Sequence, residues 1–258
     1  MSYRVFLGIG HGGSDPGAVK YVKESWANLV IGLEVKRLLE AAGIVVGISR
    51  VREENDDINE EIREANAFAP DLAFEIHCNA AGGDGFEVFV QTNVYAAKSR
   101  ACAEAVEAEV KAIGQQSRGI KTNSFGWTRL VNAPAVLTEG FFVDNLADAS
   151  DFDTEEELHK LAAAYARGIL KYFGMEENKV GNPHALAVAS KFGLAGNTID
   201  YLEAYNSGSI LRKLAGNGAA VTAREIVQTV YDLSDAEMKH MDKWPWAMEL
   251  YKKIAGRD

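Results

Sequence analysis

The sequence predicts an α/β domain, a single mostly parallel twisted sheet flanked by helices, followed by a small all-helical C-terminal domain. Three observations carry that expectation. Strand and helix signals alternate over about the first 175 residues, the pattern of a sheet covered on both faces. The polar stretch Glu176-Glu-Asn-Lys-Val-Gly-Asn-Pro183 then interrupts the pattern and reads as a linker. After it no strand candidate of useful length remains, while Thr222/Glu225 and Ser234/Glu237 form capping boxes that open helices. The expected division is therefore 1–175, a linker over 176–183 and a helical domain over 184–258. A length of 258 residues accommodates one average α/β domain with an appendix, and 47% hydrophobic residues exclude a disordered chain.

Tyr3–Ile9 is apolar, rich in β-formers and stopped by a Gly cluster, so it is the first strand. Trp26, Leu29, Val30, Leu33, Val35, Leu38, Leu39 and Ala42 recur at helical spacing over 24–42, and Gly43 is a C-terminal stop. Ile44–Ser49 is a second strand. Ile58–Phe68 is a helix ended by Pro70. Leu72–His77 and Phe86–Gln91 are the third and fourth strands, and Tyr95–Ile113 is a long Ala-rich helix. Thr128–Val131 and Ala135–Thr138 read as short strands on either side of Pro134. Thr154 with Glu157 caps a last helix running to about Phe173.

The formal net charge is −10, which argues against nucleic acid as the main partner, because that binding rests on neutralising phosphates. The charge is uneven: 26 acidic and 17 basic residues precede Glu176 (−9), and 11 acidic and 10 basic follow (−1). No apolar run approaches the roughly 18 residues that span a bilayer, so no membrane insertion is expected. The N-terminus has too short an apolar stretch for a signal peptide, so synthesis without export through the Sec route is expected. Cys78 and Cys102 are too few for a disulfide framework and read as buried small hydrophobes.

Two of the five histidines stand where chemistry is expected. His11, in Gly10-His-Gly-Gly-Ser-Asp-Pro-Gly17, follows the first strand, and His77, in Glu75-Ile-His-Cys-Asn79, ends the third. Ligands of open α/β sheets bind at the carboxyl ends of strands. His159, His184 and His240 lie on helix faces among charged residues or Ala and read as surface histidines. Gly8-Ile-Gly-His-Gly-Gly13 matches a dinucleotide fingerprint, yet a turn, not a helix, follows it, and Ser49-Arg50 stands where an acid would hold a ribose. Two imidazoles suggest a transition metal, most often zinc, with a carboxylate as third ligand. Asp15 and Glu24 are both candidates, and Glu24 could equally serve only the helix dipole. Glu139, in Pro134-Ala-Val-Leu-Thr-Glu-Gly140, ends an apolar run. It reads either as a general base with a raised pKa or as a solvated loop residue.

Several segments together resemble the zinc-dependent N-acetylmuramoyl-L-alanine amidases of bacterial autolysins and phage endolysins. They are Gly10-His-Gly-Gly-Ser-Asp-Pro-Gly-Ala18, Glu24 with Asn28, Arg63-Glu-Ala-Asn66, Asp71–Ala80 and Pro134–Asn145. They occur in the family's order within about 3–173. The resemblance implies that His11, Glu24 and His77 bind Zn2+ and that Glu139 is the catalytic acid/base. It further implies cleavage of the amide between N-acetylmuramic acid and L-alanine of peptidoglycan, by a protein acting at the bacterial cell wall. With no signal peptide expected, a phage or prophage lysin is the favoured origin. Glu75 departs from the pattern, since relatives usually carry a small Ser there. By strand alternation its side chain shares a side with His77, while Cys78 faces away.

The helical C-terminal part carries no motif that names a module. It is expected either to bind cell wall, with Trp244 and Trp246 as an aromatic platform, or to form a homodimer or cap the scaffold. Two other functions compete with the amidase: a catalytically inactive wall-binding protein of the same fold, and a different zinc hydrolase such as a peptidase or deacetylase.

Overall fold

A computed structural model describes residues 2–55 and 57–175. The chain divides into two units, Met1–Asn178 and Lys179–Asp258, and all described residues belong to the first. The expected linker over 176–183, the helical domain over 184–258 and the homodimer through it lie outside the described residues.

The described part runs β1 (Arg4–Ile9), α1 (Glu24–Ala41), β2 (Val45–Ile48), α2 (Ile58–Phe68), β3 (Leu72–Asn79), β4 (Phe86–Val90), α3 (Ala96–Ala112), β5 (Ser117–Thr122), α4 (Gly126–Leu130), β6 (Ala135–Phe142), α5 (Leu146–Ser150) and α6 (Glu155–Tyr172). The helix starts obey local chemistry. Asp57 accepts hydrogen bonds from Asn59 N and Glu60 N, 2.9 and 3.2 Å, at the start of α2. Thr154 accepts from Glu157 N at 3.3 Å at the start of α6, as its capping-box spacing predicts.

The six strands form one sheet in the order β2-β1-β3-β6-β4-β5. Four pairings are parallel, and only β4 with β6 is antiparallel. Alternation divides each strand between two cores. Val5, Leu7, Ile9, Phe74, Ile76, Cys78 and Val136 pack with α1, α3 and α6, whereas Phe6, Ala73 and Leu137 pack under α2 and α4 with Trp127. Gly8, Gly10, Glu75, His77 and Glu139 share the second face by the same parity. Both cysteines are free and buried, and Cys78 faces away from His77 as expected.

Three elements differ from the sequence expectation. Thr128–Val131 is not a strand: Gly126–Leu130 is one helical turn, closed where Thr128 Oγ1 donates to Asn123 O at 2.8 Å. A short apolar run does not by itself distinguish strand from buried helix, and Trp127 supplies the burial here. Strand β5, Ser-Arg-Gly-Ile-Lys-Thr, was not expected. It is an edge strand with no fully buried residue, so it lacks apolar alternation. Strand β6 runs on through Glu139 to Phe142 instead of stopping at Thr138. Gly140 does not end it. A side chain at 140 would begin 3.0 Å from both Leu161 and the Tyr165 hydroxyl, so the glycine admits α6 against the sheet. The register changes from His77↔Glu139 to Asn79↔Phe142, a bulge of one extra residue in β6 just past the carboxylate.

The loop after the bulge is tied to the sheet by Asp148. Its carboxylate accepts from Phe142 N (2.7 Å), Gly85 N (2.8 Å) and Gln115 Nε2 (2.8 Å). Asp148→Ala leaves the buried Phe142 and Gly85 amides unpaired, while Gln115 Nε2 keeps its bond to Gly140 O at 3.2 Å. A loss of about 3 kcal/mol is expected from urea unfolding, at 1–3 kcal/mol per orphaned group with partial relaxation.

Candidate active site

His11, Glu24 and His77 arrive from three elements: the loop after β1, the first turn of α1 and the end of β3. Their ligand atoms all lie within 4.8 Å of one another. His11 Nε2 is 3.3 Å and His77 Nδ1 3.1 Å from the same oxygen, Glu24 Oε1. The rings stand edge to face, with centroids 5.0 Å apart and planes at 89°. Glu24 is buried, and its other oxygen accepts from Ala18 N at 2.9 Å, which fixes the carboxylate towards the imidazoles.

The backbone is shaped to make this convergence. His11 has φ 62°, a left-handed conformation uncommon for a side-chain-bearing residue, and such strain gathers at functional sites. Arg50, buried at the end of β2, donates to Ile9 O at 3.1 Å and Ser25 O at 2.8 Å. Asn28 Nδ2 donates to Gly10 O at 2.9 Å. These bonds join the strand end, the His11 loop and the start of α1. The His77 ring lies across Gly10, where an added Cβ would stand 2.2 Å from His77 Cε1. Gly10→Ala is therefore expected to cost about 1–3 kcal/mol in thermal or urea unfolding and to displace the His77 ring.

Asp15, the other carboxylate candidate, does not join the cluster. It lies 2.8 Å from His11 Nδ1, the nitrogen facing away from Glu24, and its side chain is 64% exposed. It orients the ring, and convergence on both imidazoles distinguishes Glu24 from it.

The electrostatics are those of a site that wants a cation. Burial pushes the Glu24 carboxyl up, but hydrogen bonds to His11 and His77 and their charges outweigh it and hold it well below the carboxylate range. His11 is raised by its bond to Glu24 against burial. His77 is pushed down by burial but raised further by Glu24 and Glu75. Two imidazoles and a buried carboxylate, with an open side towards a cavity, are a donor set that fits a metal with a free coordination position.

That cavity, about 690 Å3, is also lined by Glu139. Glu139 belongs to the interior of β6 opposite His77 and is not a solvated loop residue. Its Oε2 is buried without a hydrogen-bond partner. Burial raises its pKa to about 7 from 4.5, against the lowering charge of His77 and with help from Glu24 and Glu87. Across the cavity Ile58, Phe125 and Trp127 form an apolar wall from the start of α2 and from α4. Sequence reasoning missed that wall and the clamp made by Arg50. The only signal for the wall was Phe-Gly-Trp beside an apolar run. Arg50 had stood out only for not being an acid.

The model of the N-acetylmuramoyl-L-alanine amidase family matches residues 5–171. The chain belongs to this family. It is therefore a peptidoglycan hydrolase, and the matched span takes in β1 from its second residue, every other strand of the sheet and the residue cluster around the cavity. The sporulation-specific amidase of Bacillus subtilis (strain 168) is 31% identical over 177 residues, 67% of this chain and 69% of that protein. The endolysin of Bacillus phage SPP1 is 31% identical over 190 residues, 70% of each. Among solved structures, the catalytic domain of the amidase CwlV from Bacillus (Paenibacillus) polymyxa var. colistinus superposes with a TM-score of 0.63. It is 26% identical, covering 68% of this chain and all of that domain. These relatives come from a bacterium and from a phage.

Proposed function

We propose that this amidase hydrolyses the bond between the lactyl group of N-acetylmuramic acid and L-alanine at the cell wall, with zinc held by His11, Glu24 and His77. The observation that carries the reading is that this cluster and the unpartnered, buried Glu139 oxygen line one cavity. Zinc in such a site supplies Lewis-acid polarisation of the amide carbonyl and acidifies water. The chain supplies the rest. Asp15 and the Ala18 amide hold His11 and Glu24 in place. Glu139, close to neutrality in its proton affinity, takes a proton from the attacking water. As the carbon–nitrogen bond breaks, it returns that proton to the leaving amine. One water is consumed, a carboxyl group stays on the glycan and a free amino group leaves on the peptide. Ile58, Phe125 and Trp127 give the same cavity an apolar surface against which substrate can pack.

Purified cell walls test this. Their turbidity should fall with the full chain present, and mass spectrometry of the digest should find intact glycan with free stem peptides beginning at L-alanine. Peptide–peptide cuts or loss of acetyl groups would instead identify a peptidase or deacetylase on this fold. Zinc uptake without any new amino groups would favour the inactive wall-binding protein.

A further inference from the structure

Each imidazole of the cluster has one nitrogen facing Glu24 and one facing away, and each outward nitrogen meets a carboxylate. For His11 that is the exposed Asp15. For His77 it is Glu75: Oε1 lies 3.2 Å from His77 Nε2, and the residue is 1% exposed. A buried carboxylate is costly unless something repays its lost hydration. Yet Glu75 Oε2 has no hydrogen-bond partner, so the contact with His77 is what holds the side chain.

The sheet makes special room for it. Gly8 of β1 is the register partner of Glu75. A Cβ at position 8 would stand 1.8 Å from Glu75 Oε2 and 2.9 Å from Glu61 Oε1. The carboxylate thus folds over a strand position that has no side chain, and Glu61 on α2 covers it while accepting from Ile9 N at 2.9 Å. Strand alternation alone brings Glu75 and His77 to one side. The bare glycine across the ladder lets the Glu75 carboxylate reach the far nitrogen of the same ring.

We propose that Glu75 is a positioning residue for the metal centre. It accepts the Nε2–H of His77, keeps the imidazole in the tautomer whose Nδ1 lone pair faces Glu24, and raises the basicity of that nitrogen. This inference rests on the metal reading above. Carboxylates in this relation to a ligating histidine are worth 10–100-fold in metal affinity.

The test uses the full chain and zinc alone, in competition with a chromophoric chelator. Glu75→Ser removes the acceptor from the ring and should weaken zinc binding 10–100-fold. Glu75→Gln keeps an acceptor oxygen and the side-chain length, so it should recover part of that loss. The visible absorption of the cobalt(II)-loaded chain should shift in both variants as the ring reorients, a readout that fold stability does not move. Should Glu75→Ser fail to fold, Glu75→Gln decides alone, through its affinity and its cobalt spectrum. Affinities within twofold of the unsubstituted chain, with an unchanged cobalt spectrum, would overturn the role of Glu75. If the unsubstituted chain takes up no zinc, the metal reading itself fails, and this proposal with it.

Discussion

Glu139→Gln is expected to lower the release of free amino groups from cell walls by 10²–10⁴-fold while zinc still binds at one ion per chain. Proton transfer by a positioned carboxyl is worth that range, and glutamine keeps the shape while removing the proton site. Loss of metal in this variant would instead make Glu139 a ligand. The metal-free chain offers an independent check through pH. The folded pKa of Glu139, about 7, lies above the 4.5 of an unburied glutamate. The folded state therefore holds the proton more tightly than the unfolded one. The stability this group contributes is complete below about pH 4.5 and is lost as pH rises through 7. The difference corresponds to about 3 kcal/mol at most. Metal-free Glu139→Gln should therefore match the unsubstituted chain near pH 4.5 and exceed it by up to that amount at pH 8, in urea unfolding. Comparing the two curves removes the contribution of Glu24, which has the opposite sign and is lost on acidification. Equal stability at pH 8 would mean that the Glu139 carboxylate is not buried at a cost.

The site was more legible in the sequence than the sheet that carries it. His11 and His77 stand out because both sit at strand ends, where open α/β sheets bind ligands. That argument needs only local sequence. Glu24 against Asp15 was not decidable locally, because both sit near the His11 loop. What separates them is the crossing of α1 over the ends of β1 and β3, which directs Glu24 at both rings and leaves Asp15 behind one. From the sequence Glu139 reads as a strand end because Gly140 follows, whereas the strand runs on and the glycine serves the close approach of α6. Strand β5 and the turn of α4 escaped because their burial comes from tertiary neighbours. An edge strand needs no apolar alternation, and a five-residue helix has no period to detect. The same turn supplies Trp127 to the cavity wall, so missing the element meant missing the surface.

Removing the metal is expected to abolish activity and to lower stability together. In the metal-free chain Glu24, Glu75 and Glu139 face one another across His77, the first two buried and the third nearly so. Protons on the imidazoles are the compensating positive charge the structure offers, and His11 and His77 are both raised accordingly. A divalent cation compensates the same field more strongly and binds only the folded chain. With zinc at about 1,000 times its dissociation constant, linkage adds about 4 kcal/mol. For a domain of this size that is roughly 8–16 °C in melting temperature. A chelator should reverse both effects, and stoichiometric zinc should restore both. Glu24→Ala should remove the zinc-dependent rise in melting temperature together with all wall hydrolysis. Asp15→Ala should keep roughly a third to two thirds of the rise, since it frees one ring to rotate but deletes no converging donor. Equal loss in the two variants would mean that Asp15 is needed as much as Glu24 and does more than orient the His11 ring. A rise retained in Glu24→Ala would leave the two histidines as sufficient, and the buried carboxylate of α1 would then serve to orient them.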